Sequence, residues 1–241
     1  MRWLIPAIAV AAAGAFAAAV LLQYARRRKP YQLAWGVALS MFAVASLALT
    51  LGVAVGWSPG TFKLYYLFGA ILNVPWLALG TVLLLGRRRL ARAYLGCLLA
   101  FSAASLVLVV LASVTATDLA GALVPEGRRF LPLAVRMLAV AGNVVGTVVV
   151  IGGAVVSGLA LRHRRELRPR FEGNLLIALG VAFAAGGGVF AFLDQSGKLG
   201  AGLAVGACVM YVGFWRASTP VRSPAVSRRG QPARTGPAGT Q

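Results

Sequence analysis

Apolar residues run along this chain in long blocks, and polar residues gather between the blocks instead of alternating within them. An apolar run of about 20 residues is the length a helix needs to cross a bilayer core. Seven runs meet that length: Trp3–Tyr24, Gln32–Gly56, Leu64–Leu85, Leu95–Ser113, Met137–Leu161, Asn174–Leu193 and Lys198–Trp215. The pattern therefore predicts an all-α, polytopic membrane protein with seven transmembrane helices over residues 1–216. After Trp215 the composition turns to Arg, Pro, Ser, Thr and Gly. Such a segment buries too little apolar surface to fold alone, so 217–241 reads as a disordered basic tail.

The charge between the blocks gives an orientation. Eighteen of the 24 Lys and Arg fall on one side of the expected helices: Arg26–Lys29, Arg87–Arg89 with Arg92, the Arg162–Arg170 loop, and the tail. Six fall on the other side: Arg2, Lys63, Arg128, Arg129, Arg136 and Lys198. By the positive-inside rule the eighteen are cytoplasmic, which puts the N-terminus outside and the C-terminus inside. The first segment is longer than a signal-peptide core and is followed at once by Arg26–Lys29, so it reads as a retained helix. Arg outnumbers Lys 21 to 3 in an Ala/Gly/Val-rich chain. That usage points to a GC-rich bacterial genome and a multi-pass protein of the bacterial cytoplasmic (inner) membrane.

Composition adds exclusions. Charged residues are 12% of the chain, half of what a soluble domain carries. The net charge of +19 is accounted for by topology, and no nucleic-acid module accompanies it. The five acidic residues, Asp118, Glu126, Glu166, Glu172 and Asp194, all sit in loops or at helix ends. Proton relays and ion pathways place ionisable groups inside the membrane, so this layout argues against an ion pump. Asp118 and Glu126 come with no nucleophile–base pattern, and the single histidine, His163, is a loop residue that cannot build a metal site alone. The two cysteines, Cys97 and Cys208, lie in apolar runs and read as small buried hydrophobes. No enzymatic chemistry, metal or cofactor is expected. The seven-segment, N-out pattern looks like that of rhodopsins, but the last segment lacks a central lysine to hold retinal; Lys198 lies at its end. A SWEET-type carrier shares the topology as well, yet LNVPWLALG in the third segment has no counterpart in VGACVMYVG of the seventh.

The third segment carries the feature with most chemical content. Trp3, Trp57, Trp35 and Trp215 stand at interface depths, as an aromatic belt requires. Trp76 stands near the centre of its segment. At 100° per residue Gly69, Asn73, Trp76 and Gly80 share one helix face. Pro75 removes an N–H and is expected to kink the helix and free the carbonyl of Ile71. Asn73 could answer that carbonyl, or bond a neighbouring helix such as the one bearing Asn143 and Thr147. These six polar, aromatic and glycine positions, Gly69, Asn73, Trp76, Gly80, Asn143 and Thr147, form the expected ligand-binding set. Gly142 and Gly146, and Gly202 and Gly206, make G-x-x-x-G pairs suited to close helix packing. Arg87, Arg88, Arg89, Arg164 and Arg165 are expected to touch anionic lipid head groups.

Two functions fit this reading. One is a carrier or binder of a small neutral or lipidic molecule in a midplane pocket of the third helix. The other is a non-catalytic subunit or sensor that works through a homo-oligomer or a membrane protein partner. The outer segment Thr115–Arg136, apolar enough to lie on the interface, points to the second, together with the G-x-x-x-G pairs and the basic tail.

Overall fold

The computed structural model describes residues 3–119, 121–122 and 124–161, together with 176, 179–180, 205–206, 208–213 and 215. The described residues are helical, with no strand among them. Five helices are long and apolar enough to cross a membrane. They are α1 (Leu4–Arg27), α2 (Pro30–Val55), α3 (Pro59–Leu84), α4 (Arg88–Leu111) and α5 (Leu133–Leu161). The sixth and seventh expected segments, 174–193 and 198–215, lie largely outside the described residues, as do the tail, His163, Arg164, Arg165 and Gly202.

Local chemistry explains where the helices stop and start. Arg28 closes α1 in a left-handed conformation (φ 52°), its N–H donating to Tyr24 O at 2.7 Å. Pro30 then opens α2 from a first-turn position that needs no N–H. Gly56, at φ 105°, turns the chain in a way only glycine allows cheaply. Ser58 and Thr61 form a capping box that starts α3, with Pro59 in its first turn. Gly86, at φ 72°, makes the tight turn into α4. These signals move several boundaries outward. α3 begins at Pro59 instead of Leu64, α4 at Arg88 instead of Leu95, and α5 at Leu133 instead of Met137. The apolar runs stop short because Lys63, Arg88, Arg89, Arg92 and Arg136 interrupt them. Lys and Arg are good helix formers, and their long stems reach along apolar surface to water.

α3 sits at the centre. Over its most apolar window 56% of residues are buried, against 17% in α4 and 28% in α5. Lipid offers no hydrophobic drive to join helices, so close backbone approach and interhelical hydrogen bonds hold the bundle. Glycines supply the approach. Gly142 of α5 meets Phe101, Ile71 O and Pro75, and a Cβ on Gly146 would lie 2.8–3.0 Å from Val74. The G-x-x-x-G pair of α5 thus seats that helix on α3, and Gly153 continues the contact at Thr81. Gly206 lies with its carbonyl against Gly180, and Met210 and Tyr211 pack near Phe16 of α1.

The basic turns, Arg26–Lys29 and Arg87–Arg89, lie at one end of the bundle. At the opposite end the segment between α4 and α5 folds back over the helices, with short helical turns at Ala116–Leu119 and Gly127–Phe130. Leu119, Leu131 and Val135 are buried there in one cluster with Trp57, Phe62, Ile71 and Leu72. Phe62 stacks edge-on with Phe130, ring centroids 6.2 Å apart, and Gly127 lies against the Tyr66 ring. The segment is a packed cap, more deeply held than an interfacial strip. Glu126 accepts a hydrogen bond from Arg128 Nε at 2.6 Å and has Arg129 Nε at 3.4 Å.

Candidate functional site at the break in α3

α3 is not one regular helix. Pro59–Tyr65 is α-helical, Tyr66–Leu72 is π-helical, and Asn73–Leu84 is α-helical again. In a π-segment each carbonyl looks for the N–H five residues on, not four. For Ala70 that residue is Pro75, which has no N–H. The carbonyl reached by another helix is accordingly Ala70's and not Ile71's: Asn143 Nδ2 of α5 donates to Ala70 O, and to Ala139 O at 2.8 Å. A broken helix is tolerated at membrane depth when neighbours take over its freed groups in this way.

Two further neighbours place donors on α3. Tyr94 of α4 donates its hydroxyl to Pro75 O at 3.2 Å. Trp35 of α2 donates its indole N–H to Leu77 O at 3.1 Å. The Trp35 indole fills the space left by Gly80, and a side chain at Gly80 would overlap it. Trp76 points to α4, where its N–H donates to Ser102 Oγ at 3.2 Å and the Ser102 hydroxyl donates to Leu98 O at 2.7 Å. Three helices are thus hydrogen-bonded to the carbonyls of α3 around the break, and its one mid-helix indole is bonded outward.

Known proteins give no guide to this arrangement. Comparison with protein families, with characterised proteins and with solved structures finds no match.

The six expected binding residues are therefore distributed by the geometry alone. Gly69 and Gly80 face α2, at Ala45 and Trp35. Trp76 is engaged with α4 and Asn143 with the backbone of α3. Asn73 opens the second α-helical part, is half-buried, and makes no side-chain hydrogen bond among the described residues. Seven residues separate it from Gly80, about two helical turns, so it shares the α2-facing side. Thr147 is half-buried one turn beyond Asn143 and likewise makes no side-chain hydrogen bond among the described residues.

The π-segment, Ser102, Tyr94 and Trp35 are the features that sequence reading missed. Ser102 interrupts the apolar run Leu95–Ser113 and Tyr94 stands just before it, and polar side chains at such depths do find partners on other helices. The tryptophans divide differently from a simple belt. Trp3 is 46% exposed and Trp215 is 69% exposed, as a belt requires, but Trp57 is only 8% exposed. Its ring lies over Gly52 and stacks edge-on with Phe62 and Tyr65. Trp35 is turned inward onto α3. Cys97 and Cys208 are exposed rather than buried, and both are free. Among the described residues no three of His, Cys, Asp and Glu come together.

Proposed function

We propose that this chain is a seven-helix, N-out protein of a bacterial cytoplasmic membrane that binds, and carries, a small neutral or lipidic molecule at the break in α3. The observation behind the reading is Asn73. It supplies an amide donor and acceptor at the junction of the π- and α-helical parts, while Asn143, Tyr94, Trp76 and Ser102 are already hydrogen-bonded. Discontinuous helices at midplane with a spare polar group are where carriers hold substrates. An amide with no charge beside it suits a neutral solute that offers both a donor and an acceptor. The Trp76 ring, held by Ser102, offers an apolar flank, but its N–H is already in use.

The test is extraction of small molecules from protein purified in mild detergent, analysed by mass spectrometry, for the native chain and for Asn73→Ala. The reading expects a neutral compound retained by the native protein and lost from the variant, with thermal stability unchanged. The same compounds retained by both would refute it. A second reading, a subunit that acts through a protein partner, is favoured by α4, which leaves Leu99, Leu106 and Val110 uncovered. Cross-linking in native membranes, read for a protein joined through α4, separates it from the first.

A further inference from the structure

The basic end of the bundle carries part of its positive charge at two helix starts, where the helix dipole disfavours it. Eight cations stand there: Arg26, Arg27, Arg28 and Lys29 in the α1–α2 turn, and Arg87, Arg88, Arg89 and Arg92 in the α3–α4 turn and the start of α4. All eight are exposed, and none makes an ion pair among the described residues. The far end differs, since Arg128 and Arg129 there share Glu126. The two turns are neighbours, because Ala34 near the start of α2 packs in one cluster with Leu83 of α3 and Tyr94 of α4.

The starts of α2 and α4 both lie at this end. Neither has a side-chain cap or an acidic residue in its first turn, and their N-cap positions are Lys29 and Arg87. A helix N-terminus carries the positive end of the helix dipole, so cations there are disfavoured. Insertion is oriented equally well by arginines placed anywhere near the membrane edge, as Arg26 and Arg27 at the end of α1 illustrate. Topology therefore explains the sign of the charge but not Arg88, Arg89 and Arg92 in the first two turns of α4. An anion brought from outside the protein would offset both the dipole and the mutual repulsion. The site borders exposed apolar helix surface, including Leu22, Leu33 and Leu90, which is where acyl chains lie.

We infer that the α1–α2 and α3–α4 turns together form a docking surface for the phosphate of anionic phospholipids. The headgroup phosphate lies between the two turns and its acyl chains run down the apolar faces beside them. This surface is independent of the Asn73 site.

Native mass spectrometry and thermal unfolding of the full chain in detergent test the inference, with phosphatidylglycerol, phosphatidylcholine or inorganic pyrophosphate added. Two variants are compared, Arg26→Gln with Arg27→Gln and Arg88→Gln with Arg89→Gln, each leaving two cations in its turn. Phosphatidylglycerol is expected to be retained and to raise the melting temperature, while phosphatidylcholine does neither. Each charge removed is expected to weaken retention about fivefold, the equivalent of about 1 kcal/mol per basic residue near a charged surface. Because the surface is shared, both variants must lose the same bound lipid. Unchanged retention in both variants overturns the inference, and so does a lipid lost from one turn while another is kept at the other. Equal stabilisation by pyrophosphate alone would show a soluble-anion site instead. Melting in phosphatidylcholine is the control for folding, and a variant that melts as the native chain does there has kept its structure.

Discussion

A methyl group added at Gly80 tests how α3 is held. The Cβ of Gly80→Ala would fall inside the contact radius of Trp35 Cδ1 and Nε1. The indole has little room to yield. It is bonded to Leu77 O and stacks edge-on with Tyr31, ring centroids 5.4 Å apart. Overpacking of this kind costs about 1–3 kcal/mol. The Trp35–Leu77 bond would be strained or lost as well, and interhelical bonds in membranes average about 0.6 kcal/mol. Alanine recovers about 1 kcal/mol of helix propensity over glycine. The overlap outweighs that gain, so Gly80→Ala should destabilise by about 1–2 kcal/mol in reversible unfolding in mixed detergent and dodecyl sulfate micelles, followed by circular dichroism. The decisive measurement repeats it in a Trp35→Ala background. With the indole gone only the propensity gain remains, and Gly80→Ala should stabilise by about 0.5–1 kcal/mol. The coupling between the two positions is then about 1.5–3 kcal/mol. An equal cost in both backgrounds would refute the seating of Trp35 on Gly80.

Asn143→Val removes the donor to Ala70 O and should cost about 1–2 kcal/mol in the same unfolding assay. Adding Pro75→Ala restores a backbone N–H, so the double variant should recover part of that loss; no recovery would count against Pro75 as the origin of the free carbonyl. Gly127→Val drives a branched side chain into the Tyr66 ring and should lift the cap, seen as faster limited proteolysis within 112–131. In single-tryptophan variants, brominated lipids should quench Trp3 and Trp215 strongly and Trp57 hardly at all. Ser102→Ala should shift Trp76 emission and cost about 0.6 kcal/mol, with the folded state retained.

Sequence and structure divide the problem unevenly. The five long helices were legible because a bilayer demands length and apolarity, and both are properties of a contiguous stretch of chain. Pro75 as the disturbance in the third helix was legible for a similar reason, since its missing N–H belongs to one residue. Helix ends were less so: Arg88–Arg92 reads as loop to a hydropathy pattern, although arginine's stem lets α4 begin there. A constant 100° per residue gives Gly69, Asn73, Trp76 and Gly80 a common face. The Trp76 indole leaves that face for Ser102 of α4, 26 residues away, and the Ala70 carbonyl is met by Asn143, 73 residues away.

Read alone, the chain is helical with long apolar helices able to cross a membrane, its basic end is plain, and Pro75 marks a disturbance in the third helix. Which carbonyl the proline frees, which helices answer it, and the inward turn of Trp35 and Trp57 onto glycines while Trp3 and Trp215 stay exposed emerge only when the helices pack. The physical reason is the range of the forces involved. Transfer into lipid depends on a local run of residues, whereas a hydrogen bond or a ring resting on a glycine requires two distant segments in register. That register is a property of the packed helices, and no single segment carries it.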